Sequence, residues 1–174
     1  MLWVDLEMTG LNPQKDVILE IASIVTDYDM NVLDKFQAVV KHDSVVVNDL
    51  MDDFVKEMHQ SSGLLDNLKA GKSLEEVEND FVTFLFRNFP TSEFEKIVMA
   101  GNSIQVDREF LIAHMPKVAE SIHYRIVDVS SIRMIFLCKY DKVYKKDPSS
   151  HHQALADIMS SIDELKYYLG FVKL

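Results

Sequence analysis

The chain opens on an apolar run broken by two acids: Leu2, Trp3, Val4 and Leu6 suit a buried strand, and Asp5 and Glu7 interrupt it. Residues 2–7 read as a strand. After a turn at Asn12-Pro13, ILEIASIVTD (18–27) reads as a second, rich in β-branched residues. A turn over 28–31 leads to a third, VLDKFQAVVK (32–41), and the short links make the three an antiparallel meander. From about residue 45 the period turns helical. SLEEVENDFVTFLFRNF (73–89) starts with Ser73 as N-cap and Glu76 three later, a capping box. Val77, Phe81, Phe84 and Leu85 then follow helical spacing until Pro90 closes the element. Short strands at 96–102 and 124–129 alternate with helices at 104–114 and 130–140, and 140–152 reads as a loop. A last helix carries Leu155, Ile158, Ile162, Leu165 and Leu169 in steps of three and four, with Ser149 or Ser150 to cap it and Gly170 to end it.

The fourth and fifth strands each lie between helices and are therefore expected parallel to the first. The expected fold is α/β: a mixed five-stranded sheet, three antiparallel strands plus two parallel ones, flanked by helices. No repeat or Pro/Gly-rich linker divides the chain, so 1–174 reads as a single domain.

Composition narrows the function. The 174 residues are 48% apolar, enough for a sizeable core, and no run reaches the roughly 18 apolar residues of a membrane span. The first residues already look like core strand, so a targeting segment is expected to be absent or removed. The single cysteine, Cys138, allows no internal disulfide, fits a reducing compartment and is expected to be a small buried hydrophobe. A cytoplasmic location follows, or a mitochondrial one if a targeting segment has been removed. The net charge of −10 argues against a long, sequence-independent grip on duplex nucleic acid. It leaves room for a short nucleic acid held at a metal centre, because bound cations invert the local electrostatics.

Residues two apart on a strand share a side, so Asp5 and Glu7 face each other's field. Like charges that close repel unless something positive lies between them, which points to a divalent cation. Two further acids stand out: Asp107 in GNSIQVDREF (101–110), early in the helix after the fourth strand, and Asp157 in HHQALADI (151–158). In α/β sheets, sites form at the carboxyl ends of parallel strands. Adjacent first and fourth strands would bring Asp5, Glu7 and Asp107 to one edge, and the last helix could add Asp157 across it. Four such carboxylates suit two hard divalent ions, which about 3.5–4 Å apart stabilise both oxygens of a phosphoryl displacement. Each acid also has a plainer reading: a helix-terminal charge at Asp107, a solvated face at Asp157.

The stretches DLEMTGL (5–11), GNSIQVDREF, HYRIVDVSS (123–131) and HHQALADI occur in the order seen in oligoribonucleases. From Leu2 to the carboxyl-terminal KL, the chain resembles this family of DEDDh-type 3′-to-5′ exonucleases with a ribonuclease H-like fold. The resemblance implies that Asp5, Glu7, Asp107 and Asp157 hold two magnesium or manganese ions, with His152 as general base. Gln153 stands where a tyrosine-type variant would need Tyr, which favours the histidine subclass; an imidazole with a pKa near 6.5 can take a proton at neutral pH. It further implies Leu11 as a wedge between two bases, and Phe54 and His59 as base-lining residues, with Phe54 where the family often has Trp. Ser103, Arg125 and Ser130 resemble a cluster that caps the terminal phosphate of a very short RNA. Tyr124 resembles a tyrosine passed across a twofold homodimer interface into the partner's site.

From spacing alone, Leu11 could equally pack a turn, Phe54 face inward and Tyr124 be buried at a strand start. The 138–150 stretch, CKYDKVYKKDPSS, departs from the family pattern and is expected to leave the ligands untouched. The implied activity is hydrolysis of very short single-stranded RNA, especially dinucleotides, to 5′-mononucleotides. The competing readings are a DNA-directed proofreading exonuclease of the same superfamily and a non-catalytic nucleic-acid-binding module.

Overall fold

Strand β1 (Leu2–Met8) is covered on both faces, and its side chains alternate between two cores. Leu2, Val4 and Leu6 enter one, with Ile21, Phe81, Met99 and Phe110. Trp3 enters the other, with Ala22, Ile24, Ile158, Ile162 and Leu165. This computed structural model describes residues 1–89, 97–146 and 154–172. Strand β2 (Ile18–Thr26), beside β1, is buried at every position, which explains its near-continuous apolar run. Strand β3 (Val32–Val39) forms the edge and places charged Asp34 and Lys35 there.

The chain then turns through α1 (Ser44–Leu50), α2 (Asp53–Ser61), α3 (Leu64–Asn67) and a 3-10 turn at Leu68–Ala70. Helix α4 (Leu74–Asn88) starts with both halves of the anticipated capping box: Glu76 N–H donates to Ser73 Oγ at 3.3 Å, and Ser73 N–H to Glu76 Oε2 at 2.9 Å. Its Phe81 and Phe84 pack with Phe36 of β3, ring centroids 5.0 and 5.4 Å from the Phe36 ring. Strand β4 (Met99–Gly101), α5 (Gln105–His114), α6 (Pro116–Ser121), β5 (Ile126–Asp128), α7 (Val129–Tyr140) and α8 (Ala154–Leu169) complete the order.

The sheet runs β3-β2-β1-β4-β5, antiparallel from β3 to β1 and parallel from β1 through β4 to β5, as the alternation of elements predicts. Several details differ from expectation. Strand β5 stops early because Asp128 caps α7, its side chain accepting from Ser130 N–H. Strand β3 ends at Val39, and Val40 makes only an isolated bridge to Lys72. On α8 the buried face runs through Ala154, Ile158, Ser161, Ile162, Leu165 and Tyr168, leaving the expected Leu169 exposed. Cys138, expected buried, is exposed on α7, where Val129 is the buried residue. The Ser149 or Ser150 cap lies outside the described residues.

Phe81 is fully buried between sheet and helices. Phe81→Ala is expected to lower unfolding free energy by about 3–5 kcal/mol in denaturant titrations, whereas Ser73→Ala, which removes only a cap, costs about 1 kcal/mol.

Candidate metal centre

The side of β1 that carries Trp3 also carries Asp5 and Glu7. Helix α8 covers it, packing Ile158 and Ile162 around Trp3 and bringing Asp157 of its first turn over the two acids. Asp5, Glu7 and Asp157 each offer an oxygen within 4.8 Å of the other two. Asp107, on α5, stands outside that 4.8 Å group but near enough for its charge to act on Asp5 and Glu7. Leu2 N–H, at the start of β1, donates to Val98 O, but β4 ends at Gly101. Farther along the same edge Leu6 N–H finds Asp107 Oδ1 instead, at 2.9 Å. A side chain therefore continues the strand ladder and fixes the fourth acid beside the other three.

The electrostatics are those of a crowded anionic cluster. Burial and then the charges of Asp107, Glu7 and Asp157 push the Asp5 carboxyl well above its ordinary value. Burial, with Glu20, Asp157 and Asp107, raises Glu7 to about 8. Burial raises Asp107 to about 7, against the lowering effect of its bond from Leu6 N–H. Closely grouped hard oxygens that resist ionisation without a counter-charge are a donor set that fits divalent ions of the magnesium or manganese kind.

Two charged residues escaped the sequence reading. Glu20 lies opposite Glu7 in the β1–β2 register, buried, accepting from Gln37 Nε2 at 2.8 Å. Its signal was a charge inside the apolar run ILEIASIV. Lys146 belongs to the 138–150 stretch expected to leave the ligands alone, yet its Nζ pairs with Asp157 Oδ1. The physical reason is plain: an ammonium on a long stem is drawn to the strongest negative field within reach, and it offsets part of the charge on Asp5.

The residues expected to bind substrate take varied positions. Leu11 is 76% exposed at the tip of the β1–β2 turn. Asp16 braces that turn, accepting from Thr9 Oγ1 at 3.0 Å and from Asn12 N–H at 2.9 Å. A Cβ at Gly10 would lie 2.5 Å from Asp16 Oδ2, so a larger residue there would have to displace the bracing carboxylate. Phe54 is 74% exposed, so the inward alternative falls. His59 is buried instead of open to a base: its Nε2 lies 2.9 Å from Met8 O and its Nδ1 3.7 Å from Glu7 Oε2, so it supports β1 and the Glu7 carboxylate from behind. Ser103 and Ser130 are adjacent, Oγ to Oγ 3.3 Å. Ser103 sits at φ +52°, a left-handed conformation that costs about 1–2 kcal/mol for a residue with a Cβ. It is held there by bonds from its N–H to Asp128 Oδ1 and Ser130 Oγ, at 2.9 and 3.0 Å. Arg125 stacks over Tyr124, 4.7 Å from its ring centre, and Tyr124 is 64% exposed and not buried at its strand start. His152 lies outside the described residues.

The exonuclease family profile matches residues 2–165. Over 170 residues the chain is 41% identical to the oligoribonuclease of Leifsonia xyli, covering 97% of this chain and 81% of that protein. The chain belongs to the oligoribonuclease family. Oligoribonucleases of Bordetella pertussis (40% identity, 97% and 92% coverage) and Corynebacterium glutamicum (42%, 97% and 77%) match it similarly. Among solved structures, exonuclease I of Methylocaldum szegediense aligns with a TM-score of 0.63 at 18% identity, over 93% of this chain and 38% of that one. The zinc-bound E. coli exonuclease I complex with single-stranded DNA gives 0.69 at 15%, over 95% and 39%. The chain spans about two fifths of those proteins, and the likeness establishes the ribonuclease H-like fold of this oligoribonuclease-family chain.

The raised carboxyls make stability depend on pH and metal. A group whose folded pKa exceeds its unfolded value stabilises fully below the unfolded value, and the gain is lost as pH rises through the folded one. For Glu7 that window runs from 4.5 to about 8. In chelator, melting temperature is therefore expected to fall across this window, less steeply in Glu7→Gln. Saturating magnesium should raise it most at the alkaline end; calorimetric melts at several pH values check both.

Proposed function

We propose that this chain is a metal-dependent 3′-to-5′ exoribonuclease that acts on very short single-stranded RNA, dinucleotides above all, and releases 5′-mononucleotides. The observation that carries it is the meeting of Asp5, Glu7 and Asp157 in a chain so similar to oligoribonucleases. Two divalent ions, magnesium or manganese, are the cofactor in this reading, with Asp107 as the fourth ligand. Such ions, when bound, stabilise the entering and leaving oxygens of an in-line displacement at phosphorus. The chain's own groups do the rest. His152, just before α8, takes the proton of the attacking water, which its near-neutral titration range suits.

Leu11, exposed on its braced turn, separates the two bases, and the open face of Phe54 stacks on one of them. Ser103, Ser130 and Arg125 receive the terminal phosphate, the guanidinium through charge-assisted bonds. An occupied end site of this kind blocks a longer chain and sets the preference for short substrates.

The active form is a homodimer in this reading. Its support is the unpartnered apolar side of α7, where Met134 and Ile135 are exposed, together with the outward Tyr124, which serves the partner's site. We read the chain as one exonuclease domain working in the cytoplasm. No described helix is long and apolar enough to cross a membrane.

Asp157→Asn is expected to abolish hydrolysis while the circular-dichroism spectrum and melt stay native, since the amide matches the carboxylate in size. His152→Ala should lower kcat by about 10²–10⁴-fold with metal saturating. A series of 5′-labelled RNAs from two to seven nucleotides should show turnover steepest on the dinucleotide. Faster cleavage of a 20-nucleotide DNA strand than of the ribodinucleotide would favour the proofreading alternative.

A further inference from the structure

Between α7 and α8 lies a polar network that none of the roles above uses. Glu164, on the buried face of α8, accepts four hydrogen bonds. Arg133 gives two, from Nε to Oε1 at 2.7 Å and from a terminal nitrogen to Oε2 at 2.5 Å. Tyr168 OH donates to Oε1 at 3.0 Å, and Asn102 Nδ2 to Oε2 at 3.2 Å. Burial alone would raise the Glu164 carboxyl, but these donors hold it below the ordinary range, so it is an ionised pure acceptor.

That charge orients Asn102 without ambiguity. Its Nδ2 faces Glu164, which can only accept, and its Oδ1 lies 3.3 Å from Arg133, which can only donate. Ser130 Oγ is 3.0 Å from the same Oδ1, so the one hydroxyl proton of Ser130 goes to Asn102. Ser130 then meets Ser103 only as an acceptor, from Ser103 N–H and from Ser103 Oγ–H. The Ser103 hydroxyl is left as the serine proton that can turn outward to an incoming anion. On its other side, the Asn102 amide also donates to Ser161 Oγ at 2.9 Å, whose proton goes to the backbone carbonyl of Asp157 at 3.0 Å.

We propose that Asn102, oriented by the Arg133–Glu164 pair, is a positioning residue that sets the span between the end-phosphate serines and the Asp157 end of the metal centre. It makes Ser103 the serine that donates to the phosphate. The proposal rests on the reading of Ser103 and Ser130 as the end-phosphate site. A single amide grips both ends of the substrate path: Ser130 on α7 through its oxygen, and the backbone of Asp157 on α8 through its nitrogen and Ser161. An ion pair with hydrophobic neighbours is a poor way to gain stability but an effective way to fix geometry.

The test compares kcat and KM for a ribodinucleotide with a 5′-phosphate and for the same dinucleotide with a 5′-hydroxyl, with thermal melts alongside. The wild type should prefer the phosphorylated form by about tenfold or more, the scale of a charged hydrogen bond. Glu164→Gln and Asn102→Ala should lose most of that preference, through a KM that rises several-fold more for the 5′-phosphorylated substrate than for the 5′-hydroxyl one. Arg133→Lys, which retains the positive charge, should keep part of the preference. Ser103→Ala should lose it, and Ser130→Ala should lose less. If one of the variants fails to melt cooperatively, the other carries the test. Equal loss on both substrates would show only loosened packing and overturn the proposal. Loss of preference in Ser103→Ala with full preference in Asn102→Ala and Glu164→Gln would overturn the brace alone. A wild type indifferent to the 5′-phosphate would overturn the phosphate reading itself, and the brace with it.

Discussion

The structure depends on a central strand with no face turned to solvent. Because β1 is covered on both sides, each of its residues must be matched by whatever lies over it, and the two-residue period allows no exceptions. Leu2, Val4 and Leu6 are matched by aliphatic and aromatic side chains. On the opposite side Trp3 is matched by α8, but the next two positions in line are acids. Desolvation there works against their charge, and the fold adds more negative charge from α5 and α8 in place of removing it. A metal-free chain bears this conflict as unfavourable ionisation, which a bound cation would relieve.

Much of this was legible along the chain because it is encoded locally. The capping box at Ser73, the meander and the alternation that sets strand order depend on residues a few positions apart. The acid pair on β1 was legible because it broke an apolar pattern. What stayed hidden depended on tertiary distance. Lys146 reads as one more charge in a polar loop until the fold sets it against Asp157. His59 sits on a helix whose inward face is defined only once β1 lies beneath it. The buried face of α8 turned toward Ser161 and Glu164 and away from Leu169, because polar residues there have partners on α7 and after β4. A glutamate beside an aliphatic stripe was the available clue, and it resembled an ordinary helix-flank charge.

The acid cluster and the Ser103 turn are built on opposite principles. Near the metal centre, acids converge and leave their charge for a ligand to satisfy. Near Ser103, the backbone N–H and the Ser130 hydroxyl are already engaged, and a left-handed backbone is held in place by its own N–H bonds. The first arrangement creates affinity and the second creates shape. The Asp16-braced turn that presents Leu11 follows the second principle, spending a carboxylate on local geometry.

The acids of the centre come from opposite ends of the fold, Asp5 and Glu7 from β1 and Asp157 from α8, which is synthesised after all five strands. Domains consolidate as synthesis proceeds, so the sheet can begin to gather while its closing helix is still inside the exit tunnel. Until α8 emerges, Asp5 and Glu7 lack the opposing carboxylate that completes their cage. A nascent chain stalled before Asp157 thus carries the sheet and two of the acids without the carboxylate from α8 that closes the cluster.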